Sequence, residues 1–442
     1  MTTTRGPRTP PPTGRPASRP GGKQPDRAPA AAFVGVRRLF AAETGTYFLL
    51  LGTTIFLVAF GLVMVLSSSS VESQAADESA FASVTRQALY ALIAVPLMLV
   101  ASRMPITFWK RWAWPAVVAG MLLQLLVFTP LGWGYGGNRN WLRIGESFTA
   151  QPSEIVKLTL ILWIAALLVS KAGLLEEWRH VLIPIGPVAG LAIGLVLLGN
   201  DLGTAVVMFL IVFGLLFYAG IRLKFLGVAA LVIGAFGLVF AFAGSSRTAR
   251  IQSWLNGCSP EDYETWCWQP THGLWALASG GLFGVGLGGS KAKWSWLPEA
   301  DNDFIFAIIG EELGLVGAIV VLLLFVVLAV AFMRVIRHNA DPFARIVTSG
   351  VMVWIVGQAF INIGVVLGVL PVLGVPLPLV SAGGSALIST LLAIGVVLSF
   401  ARNTTTTRPV QVEQSPAERS RLLAQQRVSQ QRSTQPGTGG RP

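Results

Sequence analysis

Residues 313–333 read LGLVGAIVVLLLFVVLAVAFM. The run holds no charged side chain and, as an α-helix rising 1.5 Å per residue, extends about 31 Å. That matches the hydrocarbon core of a lipid bilayer, about 30 Å thick. No water inside lipid completes the hydrogen bonds of an open backbone, so a spanning segment of this kind is helical. The stretch predicts an all-α integral membrane protein.

Working outward, apolar runs recur near 47–67, 85–101, 114–131, 153–170, 181–199, 204–220, 225–243, 307–332, 346–370 and 382–401. About ten transmembrane helices are expected. Only Asn200, Asp201, Leu202 and Gly203 separate the fifth run from the sixth, which predicts a tight hairpin; merging the two would leave nine spans. Composition agrees: 53% of the 442 residues are hydrophobic and 12% are charged, about half the charged share of an ordinary soluble protein. The membrane domain is expected over 46–402. The flanking segments 1–45 and 403–442, rich in Pro, Arg, Gly, Thr and Gln, cannot bury a core and are expected to be disordered tails.

The net charge of +12 does not point to nucleic acid, because the basic residues sit in the tails and between apolar runs. With the N-terminus inside, the short cytoplasmic loops hold ten of them, among them Arg103, Lys110, Arg111, Lys171, Arg334 and Arg337, against eight at the outer face. The positive-inside rule then places both termini in the cytoplasm. The same topology makes 244–302 a large external loop. It holds both cysteines, Cys258 and Cys267, which have no other thiol to pair with and face an oxidising compartment, so a disulfide is expected.

The chemistry should lie where polar groups interrupt apolar runs. A charge at the bilayer centre costs about 2.5–3.5 kcal/mol, so such groups face protein or a water-filled cavity. Glu154 and Lys157 open the fourth run three residues apart, on one helix face. They read either as an ion pair with Lys157 reaching outward or as an anion-binding wall. The segment from Leu297 to Glu312 brings Glu299, Asp301, Asp303, Glu311 and Glu312 to the outer end of the eighth run. It either folds over or into the external face of the bundle or begins one long helix at Asp303; helix capping by Asp303 and ion pairing of the two glutamates are the structural alternatives. Three prolines and two glycines between Leu370 and Ser385 break helix before the last span, making either an interhelical loop or a cavity wall. The glycines of 280–289 look like a phosphate loop, but no strand precedes them, and a closely packed turn fits equally.

These stretches together (QPSE at 151–154, DLGT at 201–204, 297–312, and 362–385) resemble the SEDS family of shape, elongation, division and sporulation proteins, over roughly 45–402. The resemblance implies a ten-span bundle that polymerises lipid II into glycan strands at the outer face of the bacterial cytoplasmic membrane. It further implies a class B penicillin-binding protein as transpeptidase partner. The family's essential aspartate, in the pattern His-Thr-Asp-Phe-Ile-Phe-Ala, maps onto Asp303; here Asp301 and Asn302 replace the His and Thr. Ser-Tyr-Gly-Gly-Ser-Ser becomes SAGGSA at 381–386, and Thr149 stands where some relatives carry a basic residue.

Glycosyl transfer needs a base for the acceptor hydroxyl, here Asp303, and positive charge on the leaving diphosphate. Lys157, Arg139 and Arg143 are the candidate cations, with Glu154, Gln151, Glu299, Ser381 and Ser385 lining the substrate site. A divalent cation is compatible with that chemistry, though no ligand cluster demands one. The first span, GLVMVLSSSS at 61–70, resembles the septal branch more than the elongation branch, which implies other divisome proteins as partners and a place at the division septum. A lipid II flippase or a divisome scaffold without chemistry is the competing class.

Overall fold

The computed structural model describes residues 45–403 apart from 76–80, 136–137, 146–147, 243–244 and 295, so the expectations for the two tails fall outside the described residues. Ten long helices answer the ten apolar runs: α1 (Gly45–Ala75), α2 (Ala82–Ala101), α3 (Ile106–Leu125), α4 (Pro152–Ser170), α5 (Trp178–Leu198), α6 (Leu202–Tyr218), α7 (Leu223–Phe242), α10 (Ile305–His338), α11 (Pro342–Val366) and α12 (Gly384–Asn403). Two shorter helices, α8 (Ser245–Asn256) and α9 (Trp268–Gly280), lie within the large loop. Among the described residues eight helices are long and apolar enough to cross a membrane, and α6 is a shorter apolar helix of 17 residues. The fifth and sixth runs stay separate, because Asn200 turns the chain with φ 65° and Asp201 caps α6 by accepting from the Thr204 amide at 2.9 Å.

Burial sorts the bundle. In α4, α11 and α12, 72% of the most apolar window is buried, against 28% in α2, α3 and α10. The first three form the centre and the others expose Leu, Val and Ile to the surroundings, as helices bathed in lipid do. Close approach at the centre depends on small residues: a Cβ added to Gly350 of α11 would meet Leu215 of α6 at 2.7 Å and Ile161 of α4 at 2.9 Å.

Two features depart from the sequence reading. The all-α expectation omits a three-stranded antiparallel meander, β1 (Gly132–Tyr135), β2 (Asn138–Ile144) and β3 (Phe148–Ala150), in the loop before α4. Its strands are too short to announce themselves by alternation. The Arg139 amide donates to Gly199 O at 2.9 Å, which seats the meander on the α5–α6 turn, and β3 runs straight into Gln151 and the Pro152 start of α4. The second departure is a break in α10 at Gly314 (φ 68°, ψ −168°). A short helical piece from Ile305 precedes the long span, so the segment folds into the end of the bundle and does not begin one continuous helix at Asp303. Ile305 through Glu312 are buried.

Candidate functional site

At the loop end of the bundle, four segments converge: the turn 297–304 (the acid turn), the irregular stretch 367–383 between α11 and α12 (the broken segment), the α5–α6 turn, and Gln151 at the head of α4. The acid turn closes on itself, with the amides of Asn302 and Phe304 both donating to Glu299 O at 3.1 Å and Glu299 at φ 55°. Phe304, not Asp303, holds the N-cap position of α10, and no side chain caps it. That removes helix capping as the role of Asp303. The carbonyl of Asp303 accepts from Asn362 Nδ2 at 2.7 Å. Gly374 (φ 67°) passes so close that a Cβ there would lie 3.5 Å from Asp303 Oδ2.

The Asp303 carboxyl is raised from 3.8 to about 7, first by burial, then by the negative charges of Glu299 and Asp201, against which Arg250 pulls it down, with Asp301 adding to the rise. Asp201 is also raised by burial, despite the Thr204 amide. Its second carboxylate oxygen accepts from Gln151 Nε2 at 2.9 Å, and the Gln151 amide in turn donates to Ser385 Oγ at 3.1 Å. Gln151, Asp201 and Ser385 thus form one chain of contacts beside Asp303.

Lys157 does not reach outward. Its Nζ lies 2.8 Å from Glu154 Oε1 and 3.2 Å from Gln358 Oε1, 4.7 Å over the Trp354 ring, with 1% of its side chain exposed. Gln358 passes the linkage on, donating to Pro376 O in the broken segment at 2.9 Å. Glu154 Oε2 is buried with no hydrogen-bond partner in the structure. A lysine so enclosed is a strut between α4 and α11, since removing either partner would leave the other charge buried and unpaired.

The other expected groups divide. Arg139 donates to Thr129 O at 2.8 Å and the Arg143 guanidinium lies 5.9 Å over Trp133, so both serve the meander. Ser381 Oγ donates to Asn302 O at 2.7 Å and accepts from the Leu377 amide at 2.8 Å, which spends the hydroxyl on backbone. The Glu299 side chain is exposed and accepts from Asn302 Nδ2 at 3.2 Å. Cys258 and Cys267 are joined as a disulfide with Cα atoms 6.0 Å apart.

The glycines of 280–289 hold backbone rather than phosphate. The amides of Val285 and Gly286 donate to Glu311 O and Glu312 O, and Leu315 N and Val316 N donate to Gly281 O and Leu282 O, so this stretch takes up the groups that the break at Gly314 leaves unpaired. The amides of Lys291 and Ala292 and the Ser290 hydroxyl all donate to the Glu311 carboxylate, an anion nest filled from within the chain. Beside it Lys293 Nζ pairs with Glu312 Oε1 at 3.3 Å, and Ser67 Oγ donates to the same carboxylate.

Arg250 is the cation that sequence reasoning missed. It sits on α8, 5.7 Å over the Trp266 ring, and its charge bears on Asp303. One turn later Trp254 Nε1 donates to Gly368 O at 3.0 Å, tying α8 to the broken segment. In the sequence Arg250 is one of eight basic residues at the outer face, with no motif to single it out. Among the described residues no group of three or more His, Cys, Asp or Glu is placed to hold a metal ion.

Comparison with known proteins places this geometry. The FtsW/RodA/SpoVE family profile, described as cell cycle protein, matches residues 47–406. The chain is 40% identical over 391 residues to a protein of Mycobacterium tuberculosis named probable peptidoglycan glycosyltransferase FtsW, covering 88% of this chain and 72% of that one. It is 37% identical over 364 residues to the stage V sporulation protein E of Bacillus subtilis, covering 81% and 98%. Among solved structures it resembles the rod shape determining protein RodA of Thermus thermophilus, with TM-score 0.60 and 26% identity over 80% of this chain and 96% of that one. A chain from a peptidoglycan synthase complex described as coordinating polymerization and crosslinking matches with TM-score 0.64 and 27% identity over 79% and 97%.

Proposed function

Since the chain belongs to the FtsW/RodA/SpoVE family of cell cycle proteins, we propose that it is a peptidoglycan glycosyltransferase that polymerises lipid II, with Asp303 as general base. The observation that carries the reading is a carboxylate held at the loop end of the bundle with its proton affinity raised to about 7. A carboxylate raised in this way binds a proton more tightly than an ordinary one and is the better placed to take one from a sugar hydroxyl as the glycosidic bond forms. One displacement at the anomeric carbon would make the new bond while the undecaprenyl diphosphate departs, inverting the centre.

The leaving diphosphate needs a cation, and Arg250 suits that role better than Lys157, whose charge Glu154 already neutralises. A guanidinium grips phosphate oxygens in pairs. Gln151 and Ser385 stand beside Asp201 as polar groups for the sugars. The protein works in the bacterial cytoplasmic membrane with both termini inside and the site facing outward, at the division septum, where the names of the FtsW relatives favour it. A class B penicillin-binding protein and other divisome proteins are its partners; the match to a synthase complex supports the former.

Asp303→Asn tests the base. Asn keeps the shape and cannot accept the proton, so the purified protein with its transpeptidase partner should lose lipid II polymerisation while expression, insertion and partner binding persist. Polymerisation at a near wild-type rate would remove Asp303 from that role.

A further inference from the structure

Three successive carbonyls of the acid turn each accept one hydrogen bond from outside it. Ala382 N donates to Asp301 O at 2.9 Å, Ser381 Oγ to Asn302 O at 2.7 Å, and Asn362 Nδ2 to Asp303 O at 2.7 Å. Asn362 is 1% exposed, and its amide nitrogen donates a second time, to Val375 O at 2.8 Å, while its Oδ1 has no hydrogen-bond partner in the structure. Because both neighbours are carbonyl oxygens, only the nitrogen end of the amide fits against them. The other side of the broken segment is closed off: a Cβ on Gly61 of α1 would lie 2.7 Å from Val380 Cα and 2.8 Å from Leu379 O, and Leu379 itself is held at φ 68°. The turn is therefore gripped along its length by a segment that cannot retreat.

We propose that Asn362 is a positioning residue for the reaction: together with Ser381 it pins the carbonyls of the acid turn to the broken segment and so fixes the direction of the Asp303 carboxylate. Asn362 touches the backbone of Asp303 and not its carboxylate, so it acts through that residue. The inference rests on Asp303 being the base.

The test measures polymerisation by the full chain with its transpeptidase partner as a function of lipid II concentration and pH. Asn362→Ala should lower kcat on the order of 10²-fold, the scale of an ångström of misplacement, with KM for lipid II little changed. Its pH profile should move as well. A loosened turn lets water reach the carboxylate and draws it away from Glu299, Asp201 and Asp301, and the loss of Arg250 is the smaller opposing change, so the acid limb should shift below the wild-type position near 7. A loss of folded protein alone would scale the rate at every pH and leave that limb in place, which would overturn the proposal, as would a raised KM at unchanged kcat. Should Asn362→Ala fail to insert, the Ser381 pair decides: Ser381→Ala should show the same fall in kcat and the same shift, and Ser381→Thr, which keeps the hydroxyl, should restore both. No such difference between Ala and Thr overturns it. Full activity in Asp303→Asn would sink the base itself; an inactive Asp303→Asn beside a normal Asn362→Ala would sink only the positioning role.

Discussion

The Asp303 carboxyl has a consequence for the pH dependence of the wild-type protein. The acid is raised to about 7, and a general base works only when ionised, so it is protonated and idle below that value and active above it. Polymerisation should climb through about pH 7 and level off on the alkaline side, measured as kcat against pH with the partner present. A flat profile from pH 5 to 8 would contradict the role. Lys157 shows the limit of reading single residues. Its spacing from Glu154 was legible as a helix-face pair, but the sequence does not say which way that face turns. Packing of α4 against α11 turned it inward, where Trp354 and Gln358 enclose it.

At the scale of elements, the break at Gly314 decides where the acid turn sits. A straight α10 would carry Glu311 and Glu312 on the axis of the span; the break lets the piece from Ile305 to Leu313 sit apart from that axis, roofed by the glycine-rich stretch. A Cβ at 314 would lie 2.4 Å from Gly284 N and 2.5 Å from Leu282 O, at a φ of 68°. Gly314→Ala should therefore cost more than about 1 kcal/mol and lower both the midpoint of thermal unfolding in detergent and the polymerisation rate. Gly52→Ala is the control, since a Cβ there meets nothing within 4 Å and lies in a helix that Ala favours; it should be neutral or slightly stabilising. If both variants melt alike, the break is not what holds the loop. The meander before α4 belongs to the same scale. Three strands of four, seven and three residues carry too few alternating positions to be read, and the Gly199 carbonyl of the α5–α6 turn anchors β2 from far along the chain.

For the molecule as a whole, the membrane bundle should be the complete catalyst. Every group in the proposed site lies between Gln151 and Ser385, and the tails have compositions that cannot build a pocket. A protein trimmed to about residues 44–403 should polymerise lipid II at close to the full-length rate in vitro, with any deficit appearing in recruitment to the septum. A large loss of activity in the trimmed, properly inserted protein would show that a tail takes part in the chemistry.

Lipid forces a backbone of that length and polarity into helix and leaves few alternatives, so the apolar runs alone reveal the ten long helices and their order, eight of which, among the described residues, are long and apolar enough to cross a membrane. The acidic segment 299–312 and the proline-broken segment also stand out, because polar groups and helix breakers are conspicuous in apolar surroundings, while the family resemblance is what singles out Asp303 among the acids. Tertiary structure alone decided which polar groups remained free. Ser381 and Lys157 look as available in the sequence as Arg250, yet the first is consumed by the Asn302 carbonyl and the second is closed in by Gln358 and Trp354, all brought from far along the chain. Hydrogen-bond partners and charge neighbours are set by packing between helices, and contacts of that range leave no period or motif in the residues that make them.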